Sequence, residues 1–186
     1  MSTRVNRRAI LIGAAAAIAL GRPALALPAR IAVLVRPSQG ANIGDIDRFI
    51  AQLNGGILAT NRYTLVDRNR LGAVLQEQGF SNSAYADPAT AAKLGKIVGA
   101  SHVLSASLEV DVEENRGAFV TTVSFDASSD YELIEVSTAR IGAGGSADGS
   151  AEAKAPSGGS PTALSKTRRA AIDACAEDLL GKAFAG

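Results

Sequence analysis

The hydrophobic positions along this chain change period several times. Ile31–Val35 (Ile-Ala-Val-Leu-Val) is unbroken and is bounded by Pro28 and Pro37. A short, continuous apolar run of this kind predicts a strand buried on both faces. Ile46, Phe49, Ile50 and Leu53 then recur at i, i+3, i+4 and i+7, which is one face of a helix. Asn54-Gly55-Gly56 reads as that helix's stop. Tyr63–Val66 predicts a second strand. Asp67 follows it as a capping residue for a helix carrying Leu71, Val74 and Leu75, with Gly79 at its end. Asp87-Pro88 opens a third helix, a capping acid before Pro at the first helical position. Leu94, Ile97 and Val98 form its apolar stripe, and Gly99 sits where it stops.

From His102 the period is two. Leu104, Ala106, Leu108, Val110 and Val112 alternate with Ser105, Ser107, Glu109, Asp111 and Glu113, the pattern of a half-buried strand. Asn115-Arg116-Gly117 predicts a turn, and Phe119, Thr121, Val123 and Phe125 a return strand. Asp126–Asp130 reads as a break before a third strand over Tyr131–Ile141. Residues 142–161 contain six Gly, four Ser and two Pro, which predicts a flexible loop. Leu164, Ala171, Ile172, Cys175, Leu179 and Leu180 then mark a C-terminal helix over about 162–184. The predicted fold is α/β (α+β), with order β-α-β-α-α-β-β-β-α. Its sheet is mixed and contains an antiparallel meander, with helices packed mainly on one face.

The first 26 residues differ from the rest. Arg4, Arg7, Arg8 and Arg22 are accompanied by no acid, and Ala9–Leu20 is an apolar run. It is shorter than the roughly twenty residues a bilayer span needs. A basic head, a short apolar stretch and the small-residue site Ala24-Leu25-Ala26 predict a cleaved export signal over 1–26. Arg7-Arg8 gives it a partial twin-arginine character. With no cysteine near Ala26, N-terminal lipidation is not expected. Residues 27–186 are then a single domain in the periplasm, reaching a membrane only through partners.

Composition narrows the function further. Of the 186 residues 47% are hydrophobic and only 4% aromatic, so the core must be aliphatic. Beyond the signal the acids outnumber the bases, which argues against a nucleic-acid binder. His102 is the single histidine and Cys175 the single cysteine. They are far apart, so no zinc site of ordinary spacing exists. No Gly-x-Ser-x-Gly elbow is present, and His102 reads as structural. Gly142-Ala143-Gly144-Gly145 lacks the Lys-Ser/Thr of a phosphate loop. Glu109, Asp111, Glu113 and Glu114 do not form a calcium loop and read as a charged strand surface. No catalytic residue, cofactor, metal or small-molecule substrate is predicted, and Cys175 reads as a buried small hydrophobe.

One stretch is more specific. Tyr63-Thr-Leu-Val-Asp-Arg-Asn-Arg-Leu71, Val74-Leu-Gln-Glu-Gln78, Ala91-Ala-Lys-Leu-Gly95 and Val98-Gly-Ala-Ser-His-Val-Leu104 together resemble the CsgG-like family. That family comprises the curli-secretion channel subunit and related envelope accessory proteins. The likeness spans about 31–141 and carries over to Asp67, Arg68, Leu71, Leu94, Gly95 and Gly99. It implies a non-catalytic domain that assembles with envelope or secretion-system proteins, or with itself. Two departures from the family are visible: no cysteine for lipidation, and no extra hairpin for an outer-membrane barrel. A curli-type export pore subunit is therefore the alternative rather than the first reading.

Overall fold

A computed structural model describes residues 28–77, 79, 87–156 and 161–184, without the side chains of 155, 156, 161 and 162. The predicted signal, with Arg7, Arg8, Ala24 and Ala26, lies outside the described residues. The elements are β1 (Ala29–Pro37), α1 (Ile43–Ala59), β2 (Tyr63–Leu65), α2 (Arg68–Glu77) and α3 (Pro88–Val98). They continue with β3 (His102–Arg116), β4 (Val120–Glu135), β5 (Arg140–Pro156) and α4 (Pro161–Phe184). Their order is the one the sequence predicts.

The five strands form one mixed sheet in the order β2-β1-β3-β4-β5. β1 lies parallel to both β2 and β3, and β3–β4–β5 is an antiparallel meander. The chain moves one way across the sheet from β1 to β2 and the other way from β2 to β3. Right-handed crossovers in opposite directions place their helices on opposite faces. Accordingly α1 joins α4 in the main layer, over Ile31, Leu104, Leu108, Val123, Phe125 and Leu133. α2 and α3 make a smaller layer on the other face, over Ala32, Leu34, Val103 and Ile134. β1 is thus covered on both sides, as its unbroken apolar run requires. Among the described residues, no helix covers the half of the second face formed by β4, β5 and the far end of β3.

α1 is longer than its apolar stripe predicts. It passes through Gly55-Gly56 and stops at Thr60, with Asn61 taking up the left-handed conformation (φ 54°). Gly56 is not a stop but a contact, since a Cβ there would lie 2.1 Å from Leu180 Cδ1 of α4. Two pairs hold these helices together. Arg48 pairs with Asp173, and Arg168 with Asp45. Asp45 also completes the capping box of α1. Its carboxylate accepts from the Asn42 N–H at 2.9 Å, while its own N–H donates to Asn42 Oδ1 at 3.1 Å.

The Gly/Ser-rich segment is a correction. Instead of a flexible loop over 142–161, Arg140–Pro156 forms a 17-residue strand along the whole of β4. The predicted break at Asp126–Asp130 is also absent, because β4 runs unbroken from Val120 to Glu135. The chain turns at 136–139, so the predicted third strand is split between β4 and β5. The reason is the close approach of α4. A Cβ on Gly149 would lie 2.2 Å from Cys175 N and 2.4 Å from Ala171 O. With helix backbone this near, inward positions must be small, and Ala143, Gly145, Ala147, Gly149, Ala151 and Ala153 are. A strand without large or β-branched side chains gives no ordinary strand signal.

Candidate interaction surface

The family-motif residues gather around the α2–α3 layer. Asp67 Oδ1 accepts from the N–H groups of Asn69 and Arg70 at 2.8 and 3.0 Å, capping α2 as predicted. Leu71 and Leu94 are buried beneath their helices. Gly95 brings α3 onto the sheet, where a Cβ would meet Val136 and Val103 side chains at 2.5 and 2.7 Å. Gly99 (φ 72°) is the left-handed cap of α3. These five build the fold. Loss of a single cap costs about 1 kcal/mol, so Asp67→Ala should lower the unfolding free energy by that amount in urea titration.

Arg68 stands apart. Its guanidinium pairs with Asp47 of α1 at 2.8 Å, with both side chains more than half exposed. The two form one wall of an open groove of about 690 Å³ that is otherwise lined by Pro37, Ala41, Asn42, Ile43, Gly44 and Ile46. Ile43, the first residue of α1, is 81% exposed there. Sequence periodicity gave no hint of this groove, because Ile43 lies outside the buried stripe of α1.

The far ends of β3 and β4 form a projecting arm. Asp111–Arg116 are all exposed, and at the turn Phe119 is 87% exposed. Val112 and Val120 are about half exposed. The uncovered sheet face beside the arm is acidic. Glu109, Asp111 and Glu113 of β3 share it with Asp126, Asp130 and Glu132 of β4 and with Asp148 and Glu152 of β5. Asp111 and Asp126 are direct cross-strand partners, an arrangement in which like charges repel.

His102 opens β3 as predicted, and its strand partner is Glu135. Its Nδ1 lies 3.0 Å from Ser101 Oγ, and its ring meets the Tyr63 ring edge-on at 5.5 Å. The Ser101 hydroxyl also donates to the Arg30 carbonyl at 2.9 Å. Hydrogen bonds from the Ser137 and Thr138 hydroxyls hold the Glu135 carboxyl below its ordinary pKa.

Cys175 is fully buried, with Sγ 3.5 Å from the Ala147 carbonyl. Burial, with Asp148 and Asp178 nearby, pushes its thiol up to about 12. The thiolate is the reactive form, so Ellman's reagent should not label the native protein and should label it fully in denaturant. Among the described residues, no group of three or more His, Cys, Asp or Glu is placed to hold a metal ion. No described helix is long and apolar enough to cross a membrane.

A family model described as the curli production assembly/transport component CsgG matches residues 49–150, more than half of the chain. The chain belongs to this family. The match begins inside α1, later than the likeness over 31–141 read from the sequence, and ends further on, inside β5. In this CsgG-like protein the matched span therefore contains the projecting arm and the acidic rows except Glu152. No curated protein matches it in sequence. Among solved structures it is similar to the hypothetical protein CT253 of Chlamydia trachomatis. That pair shows 12% identity and a TM-score of 0.50 over 86% of this chain and 100% of the other. A minor lipoprotein of Acinetobacter baumannii gives 13% identity and a TM-score of 0.50 over 86% of this chain and 92% of the other. Lipoprotein GNA1162 of Neisseria meningitidis gives 17% identity and a TM-score of 0.48 over 75% and 92%. At such identities the first two establish a shared fold and nothing about role.

Proposed function

We propose that this CsgG-like chain is an exported, non-catalytic accessory module of the bacterial cell envelope. It leaves the cytoplasm on the signal at 1–26, is cleaved near Ala26, and works in the periplasm as a single domain. Its partners are envelope or secretion-system proteins and further copies of itself. The observation that carries this reading is the family match over 49–150. One feature supports it. The groove at Arg68 and the arm at Phe119 offer apolar surface to a macromolecule.

The alternative is an outer-membrane export pore subunit. Strands β3–β5 are long enough to span a bilayer at about 9–11 residues. Their inner face, however, is occupied by α1 and α4, and the arm carries Glu114 and Arg116 on the side that holds Val112, which leaves no continuous apolar band. Size-exclusion chromatography with light scattering on periplasmic extract separates the two. The accessory reading expects a monomer or small oligomer released without detergent. A large ring released only by detergent would overturn it.

A further inference from the structure

We infer that the outer edge of β5 takes up an extended segment of a partner protein as an added strand, held by the backbone groups of Ser150, Glu152 and Lys154, and that this segment carries basic residues on the side of the acidic rows. The inference rests on the accessory reading above and adds where, and by what chemistry, such a partner is held.

β5 is the last strand of the sheet, so one of its edges has no neighbouring strand among the described residues. In an antiparallel pair, residues alternately turn their N–H and C=O groups toward the partner strand and away from it. Two contacts with α4 show which residues turn away. The Asp148 N–H donates to Asp178 Oδ2 at 3.1 Å, and the Ser146 carbonyl accepts from Lys182 Nζ at 3.0 Å. The register with β4 is unbroken from Ala143 to Pro156, so Ser150, Glu152 and Lys154 continue the outward row. All three are exposed, and their N–H and C=O groups have no partner among the described residues.

Both ends of this row are closed. An exposed strand edge invites pairing, and proteins block it with charges or proline. The Asp178–Lys182 pair, 2.6 Å apart, occupies the outward groups of Ser146 and Asp148. Pro156, the next outward position after Lys154, has no N–H to offer. Between them α4 brings no such side chain, because the residues four and eight places before Asp178 are Ala174 and Ala170. The edge is guarded on either side and open over the five residues 150–154.

The acidic rows select the occupant. Of the acids on the uncovered face, only Glu152 has an ion pair among the described residues, with Lys154 at 3.2 Å. The side chains of Asp148, Ser150, Glu152 and Lys154 all lie on that face. The β5 of a second copy would bring further carboxylates against them, and like charges oppose such a pairing. A basic strand meets the reverse. Strands lie about 4.8 Å apart, so a residue opposite Ser150 stands roughly 10 Å from Asp126, the β4 partner of Ser150. Ser150 is small, and a lysine or arginine in that place reaches over it to the Asp126 carboxylate, which itself faces Asp111. In strand addition the main chain supplies the hold and alternate side chains supply the selectivity.

The test uses the processed protein purified from cells and two synthetic peptides, one alternating Lys and Thr, the other alternating Glu and Thr. Fluorescence anisotropy and amide NMR shifts read binding at physiological salt. The Lys peptide should bind and shift the amides of Ser150, Glu152 and Lys154, and the Glu peptide should not. Ser150→Pro removes an N–H that β4 does not use, so the urea midpoint should hold while the Lys peptide binds about ten-fold more weakly. Glu152→Pro repeats the test one outward position along, should Ser150→Pro fail to fold. No binding of the Lys peptide, or equal binding of the Glu peptide, overturns the inference. So does binding that the proline variants leave unchanged, which would mean that the acids alone hold the peptide. A protein that is exported and processed but fails these tests keeps the reading of its function and loses only this docking mode. A protein that is not exported removes that reading whatever the peptides do.

Discussion

Gly149→Ala should destabilise the protein by about 3 kcal/mol, although the change adds a single methyl group. In an accommodating site the same substitution stabilises by about 0.4–1 kcal/mol, because it restricts the unfolded chain. At Gly149 the new Cβ falls 2.2 Å from Cys175 N, 2.4 Å from Ala171 O and 2.8 Å from Ala174 C. These are backbone atoms of α4, and no rotamer change moves them aside. The helix must lift, and overpacking of this kind costs about 1–3 kcal/mol or more. The lifted helix also gives up burial of Ala171, Ile172, Cys175, Ala176 and Leu179, all fully enclosed in the native protein. Urea unfolding reads the loss. Faster reaction of Cys175 with Ellman's reagent locates it at α4. Gly55→Ala is the matched control. Nothing lies within 4 Å of a Cβ there, so a helix-interior alanine should stabilise by about 0.5–1 kcal/mol.

Asp45→Ala should cost about 3–5 kcal/mol and flatten the acid side of the stability profile. Asp45 is 6% exposed, and its carboxylate receives the Arg168 Nε at 3.0 Å as well as the Asn42 N–H. Without it the Arg168 guanidinium stays largely enclosed, keeping only the Gly40 carbonyl at 2.7 Å and the face of Phe125 at 5.9 Å. The first turn of α1 also loses its capping box. Burial alone would raise the pKa of this carboxyl. The Arg168 and Asn42 hydrogen bonds and the guanidinium charge outweigh burial and hold it below 3.8. A group with a depressed folded pKa stabilises fully above its unfolded pKa and loses that contribution as the pH falls toward the folded value. Wild-type stability should therefore drop below about pH 5, and part of that slope should vanish in Asp45→Ala. An unchanged acid limb would show that Asp45 does not govern it.

Where side chains report their surroundings by size and period, the fold was legible from sequence. Ile31–Val35, the stripe of α1, Leu94 and Val98 of α3, the caps at Asp67 and Asp87 and the alternation of β3 each specify their element, whereas Ile97, read into the α3 stripe, is 40% exposed. β5 failed that test for a physical reason. Contact with the α4 backbone leaves room only for Ala and Gly, so its period is written in small against polar residues. Ser146-Ala-Asp-Gly-Ser-Ala-Glu-Ala-Lys154 does alternate, but between residues that also make linkers. Gly55-Gly56 misled in the same way, since a glycine required by helix contact looks like a glycine that ends a helix. The groove at Ile43 and the arm at Phe119 depend on which apolar residues stay uncovered. That follows from tertiary packing, and periodicity does not report it.

Export to the envelope is the premise on which assembly rests. Fractionation of cells expressing the full chain, with the N-terminus of the purified form determined, tests it most directly. The account predicts a processed protein that begins just after Ala26 and is released with the periplasm. An unprocessed chain retained in the cytoplasm would contradict it.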